Sequence, residues 1–307
     1  MILAAGLTPA WQQTMRFPQL RPGEVNRAAE VYWDASGKNL NVGAALAALG
    51  APSHTLSPVG GWSGRAIREN FQQRGLSATW IECAAATRVC TTLLQASSAT
   101  ELVENAAPLS EDELNAFCEA YRSCVADADY VVLTGSLPRG TPATFYRDLL
   151  RATRCPAVLD VRGPELLAAL EEKPRVVKPN REELQMTTTS PLRDRADVLQ
   201  AMRNLLAKGA QAVVVTQGKA AVWVVEGNNA WELTPPEAPL VVNPIGCGDC
   251  LAAGLAAGLQ RGLPLLDAVR LGMAAAADNL PQLLPARLDA VRVERIAARI
   301  GCDKIAG

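Results

Sequence analysis

Short apolar runs alternate with longer stretches of helical spacing along this chain. ILAAG (2–6), YVVLTGS (130–136), AVLDV (157–161), RVVKPN (175–180) and AVVVTQG (212–218) are unbroken apolar runs that end in polar or glycine turns. LNVGAALAALG (40–50), ELNAFCEAYRSCVA (113–126), ADVLQAMRNLLAKG (196–209) and CLAAGLAAGLQRG (250–262) have helical length with small or apolar repeats. Strands that are apolar on both faces and alternate with helices predict an α/β fold, with a mostly parallel sheet covered on both sides.

Two segments break this rhythm. Residues 9–33 and 87–106 alternate polar with β-branched or aromatic side chains, the pattern of half-exposed strands. They are expected to form a small sheet or lid over the carboxyl ends of the main strands, where open α/β sheets bind ligands.

Composition narrows the function classes. Of 307 residues, 49% are hydrophobic, enough for a substantial core. Thirty Lys and Arg against 31 Asp and Glu leave a formal charge of −1, so no nucleic-acid partner is expected. The N-terminal MILAAGLTPAWQQTMRF lacks a basic leader, and no apolar stretch reaches the ~18 residues of a spanning helix; neither a signal peptide nor a membrane anchor is expected. Eight irregularly spaced cysteines in a chain of this size point to a reducing cytoplasm. Cys247 and Cys250 form a C-x-x-C without a second pair, and His54 is the only histidine, so Cys or His metal chemistry is set aside.

NPIGCGDCLAAG (243–254) carries the sharpest chemistry. Pro244 ends any strand, Gly246 and Gly248 open a turn, and a helix is expected to start near Gly248–Asp249. Free amides at that start suit a phosphoryl anion. Asp249 in the same place is either a helix cap or a base that takes a proton from an attacking hydroxyl. GSLPRG (135–140) follows a strand as a ligand-facing turn, and ASGKNLNVG (35–43) places Lys38 before a helix. VVKPNREEL (176–184) opens a helix with Asn180, and Glu183 stands in capping-box position. Neither a Walker loop nor a dinucleotide G-x-G-x-x-G is present.

Taken in order, LTPA (7–10), RPGEVNRA (21–28), SGKNLNVG (36–43), TGSLPRG (134–140), VKPNREEL (177–184) and GCGD (246–249) resemble the PfkB carbohydrate kinases of the ribokinase-like superfamily. The nearest branch contains 1-phosphofructokinase and tagatose-6-phosphate kinase. The resemblance implies a three-layer ribokinase-like domain spanning 1–307, ATP and Mg2+, and phosphoryl transfer to a phosphorylated ketohexose. Fructose 1-phosphate stands first, with fructose 6-phosphate and tagatose 6-phosphate close behind. Asp249 looks like the catalytic base and Gly246, Cys247 and Gly248 like the anion hole. Gln12, Gly37, Lys38, Asn41, Arg88 and Ser136 match acceptor-binding positions, and Lys178, Asn180, Glu183 and Gly218 match nucleotide positions. Glu183 is expected to meet magnesium through water. The lid is expected to cover the sugar site and form a homodimer interface, with Trp11, Tyr32 and Trp33 as its apolar anchors or as cover for the main core.

Several positions depart from the family pattern. Gln12 replaces an aspartate that grips sugar hydroxyls, Ser36 and Asn39 replace glycines, and Ala221 replaces a glycine of the nucleotide loop. Asn39 is expected to add bulk beside the site, and Asn243 would be a weak, uncharged ligand where relatives place potassium, whose use stays open. Other classes remain: a kinase of a nonphosphorylated sugar or nucleoside, a noncatalytic sugar-phosphate binder, and a dehydrogenase.

Overall fold

In β1 (Ile2–Ala5), Ile2 and Ala4 pack into one hydrophobic cluster and Leu3 and Ala5 into another, as a strand buried on both faces requires. The structure is a computed structural model that describes residues 1–95, 98–238 and 240–305. After β1 come β2 (Ala10–Arg16), β3 (Glu30–Ser36), α1 (Lys38–Ala48), β4 (Ser53–Val59), α2 (Gly61–Gln73) and β5 (Ala78–Glu82). The middle of the chain holds β6 (Val89–Gln95), β7 (Ser98–Val103), α3 (Glu111–Val125), β8 (Tyr130–Thr134), α4 (Phe145–Arg151), β9 (Ala157–Asp160) and α5 (Gly163–Ala169). Next are β10 (Val176–Val177), α6 (Arg181–Thr188), α7 (Arg195–Ala207), β11 (Ala212–Val215), β12 (Val222–Glu226) and β13 (Asn229–Leu233). The last elements are α8 (Cys247–Gln260), α9 (Leu265–Asn279), α10 (Ala290–Ala297) and β14 (Cys302–Lys304).

The main sheet has ten strands in the order β14-β13-β12-β11-β10-β9-β8-β1-β4-β5. It is parallel from β11 to β5 and antiparallel from β11 through β14. The switch follows from connection length. Helical segments link the parallel strands, whereas a short turn around Gly218 joins β11 to β12 and forces reversal. Val42, Leu46, Leu255 and Val269 of α1, α8 and α9 cover one face. Phe117, Tyr121, Leu149, Val198 and Met202 of α3, α4 and α7 cover the other.

The small residues of α8 serve helix packing. A Cβ on Gly254 would lie 2.7 Å from Gly272 Cα in α9, so this helix pair meets nearly backbone to backbone. Among the described residues no helix is long and apolar enough to cross a membrane.

The second sheet, β3-β2-β6-β7, draws its strands from the two alternating segments, and β3 continues past residue 33 to Ser36. Residues 96 and 97, inside the expected 87–106 segment, lie outside the described residues. Trp11 packs beside Ala35, Ile67 and Phe71 and stacks on Trp33 with ring centroids 5.9 Å apart. Tyr32 and Trp33 are exposed, so of the three aromatics only Trp11 anchors the lid to the body.

Candidate active site

α8 starts at Cys247, one residue before the expected start, because Gly246 takes the left-handed φ of 81° and caps it. A side chain there would be strained and its Cβ would come 2.7 Å from Pro285 Cβ. The approach to the helix is fixed by two asparagines. Asn243 accepts from the Ile245 amide at 3.0 Å and donates to Leu283 O at 2.9 Å. Asn279 donates to Ile245 O and accepts from the Ala286 amide. The Cys247 thiol turns to α9 and donates to Ala276 O, and its backbone amide donates to Pro244 O at 3.3 Å, so the expected place of Cys247 in the anion hole is not met by a free amide. Burial pushes that thiol up to about 11, and raises Cys250 well above its ordinary value, so neither is a ready thiolate.

Asp249, on the first turn of α8, is buried and accepts from Asn41 Nδ2 at 2.8 Å. Asn41 lies on the first turn of α1 behind Gly37, whose φ is 100° and whose Cβ would sit 2.8 Å from Pro9 Cα. Ser36 Oγ donates to Asn41 Oδ1 at 3.2 Å and turns the amide's nitrogen toward Asp249. Burial raises Asp249 to about 7; Asp160 adds to the rise, while Lys38, Asn41 and Lys178 oppose it. Asn39 donates to Gly6 O and Leu56 O, so it ties the end of β1 to the middle of β4 and does not crowd the site as expected.

A network of charges lies beside this helix start. Asp160, buried at the end of β9, is in ion-pair range of Lys178 at 3.0 Å and Lys38 at 3.3 Å, and accepts from Thr134 Oγ1 at 3.2 Å. Burial works to raise its pKa, but Lys178 and Lys38 prevail and hold it below the usual carboxylate range. Lys38 also contacts Glu183 Oε1 at 3.2 Å. Burial pulls Lys38 down, yet Asp160, Glu183 and Asp249 outweigh it and keep the ammonium firmly protonated. Asn180 and Glu183 form a reciprocal capping box at the start of α6, so Glu183 both caps and pairs. A Cβ on Gly248 would be 3.8 Å from Lys178 Nζ; the glycine keeps the gap between the amides and the ammonium clear.

The remaining candidates lie farther out. Arg88 and Ser136 line two adjoining cavities of about 420 and 570 Å³, and Lys38 lines the first of them. The Arg88 guanidinium donates to the carbonyls of Thr8, Pro9 and Glu104, which fixes its direction. Gln12, buried on the lid, gives its amide to Thr92 Oγ1 at 2.9 Å and pairs across the strands with Asp34. Asp34 in turn contacts Arg287 at 2.8 Å and Arg74 at 3.5 Å. Gly218 is exposed on the turn after β11; the bridge between Asn180 and Thr216 brings that turn beside α6. Thus Lys38, Asn41, Lys178, Glu183 and Asp249 form one network with the helix start. Arg88 and Ser136 flank it, Gln12 stays within the lid, and Gly218 lies at the rim. Sequence reasoning missed Asp160, whose signal was an aspartate closing the apolar run AVLD, and Ser36 as a support for Asn41.

Known proteins share this architecture. The chain superposes on a phosphofructokinase-2 from Escherichia coli in complex with substrates and products with a TM-score of 0.86 and 26% identity, covering 96% of this chain and 98% of that one. The same E. coli enzyme in complex with potassium gives 0.86 at 25% identity, with 97% and 99% covered. A Thermotoga maritima protein described as a possible 1-phosphofructokinase gives 0.89 at 20% identity, with 99% of each chain covered. Residues 7–280 match the model of the pfkB family carbohydrate kinases, whose ribokinase-like architecture this is. The chain belongs to the pfkB family of carbohydrate kinases.

Proposed function

We propose that the protein transfers the γ-phosphoryl group of ATP to a hydroxyl of a phosphorylated ketohexose. Fructose 1-phosphate is the foremost acceptor, with fructose 6-phosphate and tagatose 6-phosphate close behind. The observation that carries this reading is the placement of Asp249. A carboxylate raised to about 7 shares a helix start with the amides of Gly246 and Gly248 and faces two lysines across a cleared gap.

In this reading Asp249 takes the proton of the acceptor hydroxyl as its oxygen bonds to the γ-phosphorus and the bond to ADP breaks. The proton can leave late in a loose transition state, so a modest base suffices. The amides of Gly246 and Gly248, with Lys178 and Lys38, balance charge on the transferred group. Asn41 holds the carboxylate in line. Arg88 and Ser136, on the wall beyond Lys38, suit an acceptor that carries a phosphate.

Magnesium, brought with ATP, would screen the phosphate charges. The residues fit an indirect role: both Glu183 oxygens are engaged, by Lys38 and by the Asn180 amide. Among the described residues no cluster of three or more His, Cys, Asp or Glu could cage the ion. We also propose a homodimer through the lid, supported by Val31, Trp33 and Leu102, exposed on the face opposite Gln12.

The test is ATP-dependent ADP release over phosphorylated and free ketoses, with Asp249→Asn alongside. Turnover of one phosphosugar that collapses in the variant supports the reading. Turnover of free sugars or nucleosides alone overturns the acceptor class.

A further inference from the structure

The cavity of about 570 Å³ beside the kinase site has an unusual wall. It carries two guanidinium groups, Arg88 and Arg139, and no carboxylate among its lining residues. Thr8, Asn105 and Ser136 add neutral hydrogen-bonding groups. A concave surface so composed selects an anion, because nothing on it would repel one and two positive charges attract.

The two arginines are held differently. Arg88 is aimed by three backbone carbonyls, which leave part of its five-donor fork free. Arg139 is exposed, and its backbone is set by a turn that the Thr141 amide closes onto Pro138 O at 3.1 Å, with Gly140 at φ 90°. The base of this loop is pinned by Tyr146, whose hydroxyl donates to Thr134 O and Gly135 O. Nearby arginines are neutralised, as Arg147 and Arg151 pair with Asp148, Glu171 and Glu172. Among the described residues no carboxylate pairs with Arg139.

We propose that Arg139 is the second guanidinium of the acceptor-phosphate subsite, closing on the phosphate opposite Arg88 and selecting phosphorylated over free ketoses. This rests on the reading of a phosphorylated acceptor. The two cavities share Thr8, Arg88 and Ser136, so a phosphate at Arg139 leaves the rest of the acceptor directed toward Lys38. Arg139 thereby acts as a specificity residue remote from the reacting hydroxyl.

The test is calorimetric titration of the whole protein with fructose 1-phosphate, fructose 6-phosphate, tagatose 6-phosphate and free fructose, in wild type, Arg139→Ala and Arg139→Lys. An exposed side chain without partners can be removed without unfolding the chain. Loss of a charge-assisted pair is expected to weaken the bound phosphosugar about tenfold or more in Arg139→Ala, with partial recovery in Arg139→Lys. Free fructose is expected to bind all three proteins alike. If wild type binds a phosphosugar and Arg139→Ala binds it equally well, this inference alone is overturned. Equal weakening of phosphorylated and free ketose also overturns it, since the effect would not read phosphate. If wild type binds none of the three phosphosugars, the parent reading and this one fall together.

Discussion

Asn41 and Asp249, 208 residues apart in the chain, are joined by a hydrogen bond of 2.8 Å from the amide nitrogen to a carboxylate oxygen. Two helix starts therefore meet at the proposed base. The amide's orientation is set from the lid, because Ser36 at the end of β3 donates to its oxygen. A lid residue thus reaches the base through a single intermediary.

This link gives a pH prediction. Asp249 must be ionised to take a proton, and burial holds it up to about 7, so kcat/KM is expected to rise through neutral pH and level off above it. The Asn41 bond favours the charged form. Asn41→Ala should therefore move the rising limb to higher pH, and Ser36→Ala should move it the same way by less. Asp249→Asn should lower kcat by about 10²–10⁴-fold, the usual share of a general base. Rate profiles from pH 5 to 9 check all three, and a limb that stays in place in Asn41→Ala would refute the coupling.

The same carboxylate should weaken the fold at high pH. Its folded pKa is raised above the ordinary value, so the folded state binds more protons in the window from about 4 to 7. Stability is lost as pH rises through that window. Asp249→Asn removes the buried charge and is expected to be more stable than wild type at pH 8, by roughly 1–3 kcal/mol, with the gain vanishing near pH 4. Denaturant unfolding at the two pH values measures the difference. A variant less stable than wild type at pH 8 would count against a costly buried charge.

Asp160 carries the opposite sign. Lys178 and Lys38 hold its pKa below the ordinary value, so its contribution is present above the unfolded pKa and fades as pH falls through the folded one. Asp160→Asn leaves the buried Lys178 without its ion-pair partner. A loss of about 3–5 kcal/mol is expected, as for other broken buried pairs. Urea unfolding at pH 7 tests it, and a near-neutral effect would mean that the ammonium relaxes into water.

What the sequence disclosed follows from local physics. ILAAG, YVVLT and AVVV reveal themselves because strands buried on both faces are uninterrupted apolar runs, and GCGD because a tight turn before a helix needs its glycine. SHTLSPV does not read as a central strand: its polar residues and Pro58 hide β4, although Thr55, Ser57 and Pro58 are buried within the sheet. The antiparallel edge was also missed, since β12 and β13 are paired by turn length and not by composition. Within the site, single residues were legible where a motif carried them. Their partnerships were not, because Ser36–Asn41–Asp249 and Lys38–Asp160–Lys178 join distant parts of the chain.

The lid's outer face makes a separate claim about assembly. Val31, Trp33 and Leu102, on the two edge strands of the same lid face, are 47%, 40% and 55% exposed, apolar surface that water disfavours. Trp33→Glu puts a charge on this face at the edge strand β3, beside the half-buried Trp11 that packs on Ile67 and Phe71. Light scattering is expected to show a dimer for wild type and a monomer for the variant. A wild-type monomer at micromolar concentration would remove the lid interface from the proposal.

The last expectation concerns potassium. The E. coli phosphofructokinase-2 noted above has been solved with that ion, and a monovalent cation needs carbonyl or carboxylate oxygens with free lone pairs. Here the amide of Asn243 already joins the two backbone segments of that region, accepting from Ile245 and donating its own nitrogen to Leu283 O. The Leu283 carbonyl thus already accepts an N–H, and Asn243 adds no charge to attract a cation. Activity is therefore expected to be the same in potassium, sodium or tetramethylammonium chloride at equal ionic strength. Asn243→Asp exchanges the donor for a second anionic oxygen and loses the Leu283 bond, so that variant should be weakened and should recover with added potassium. Strong potassium activation of wild type would show that the cation binds despite the amide.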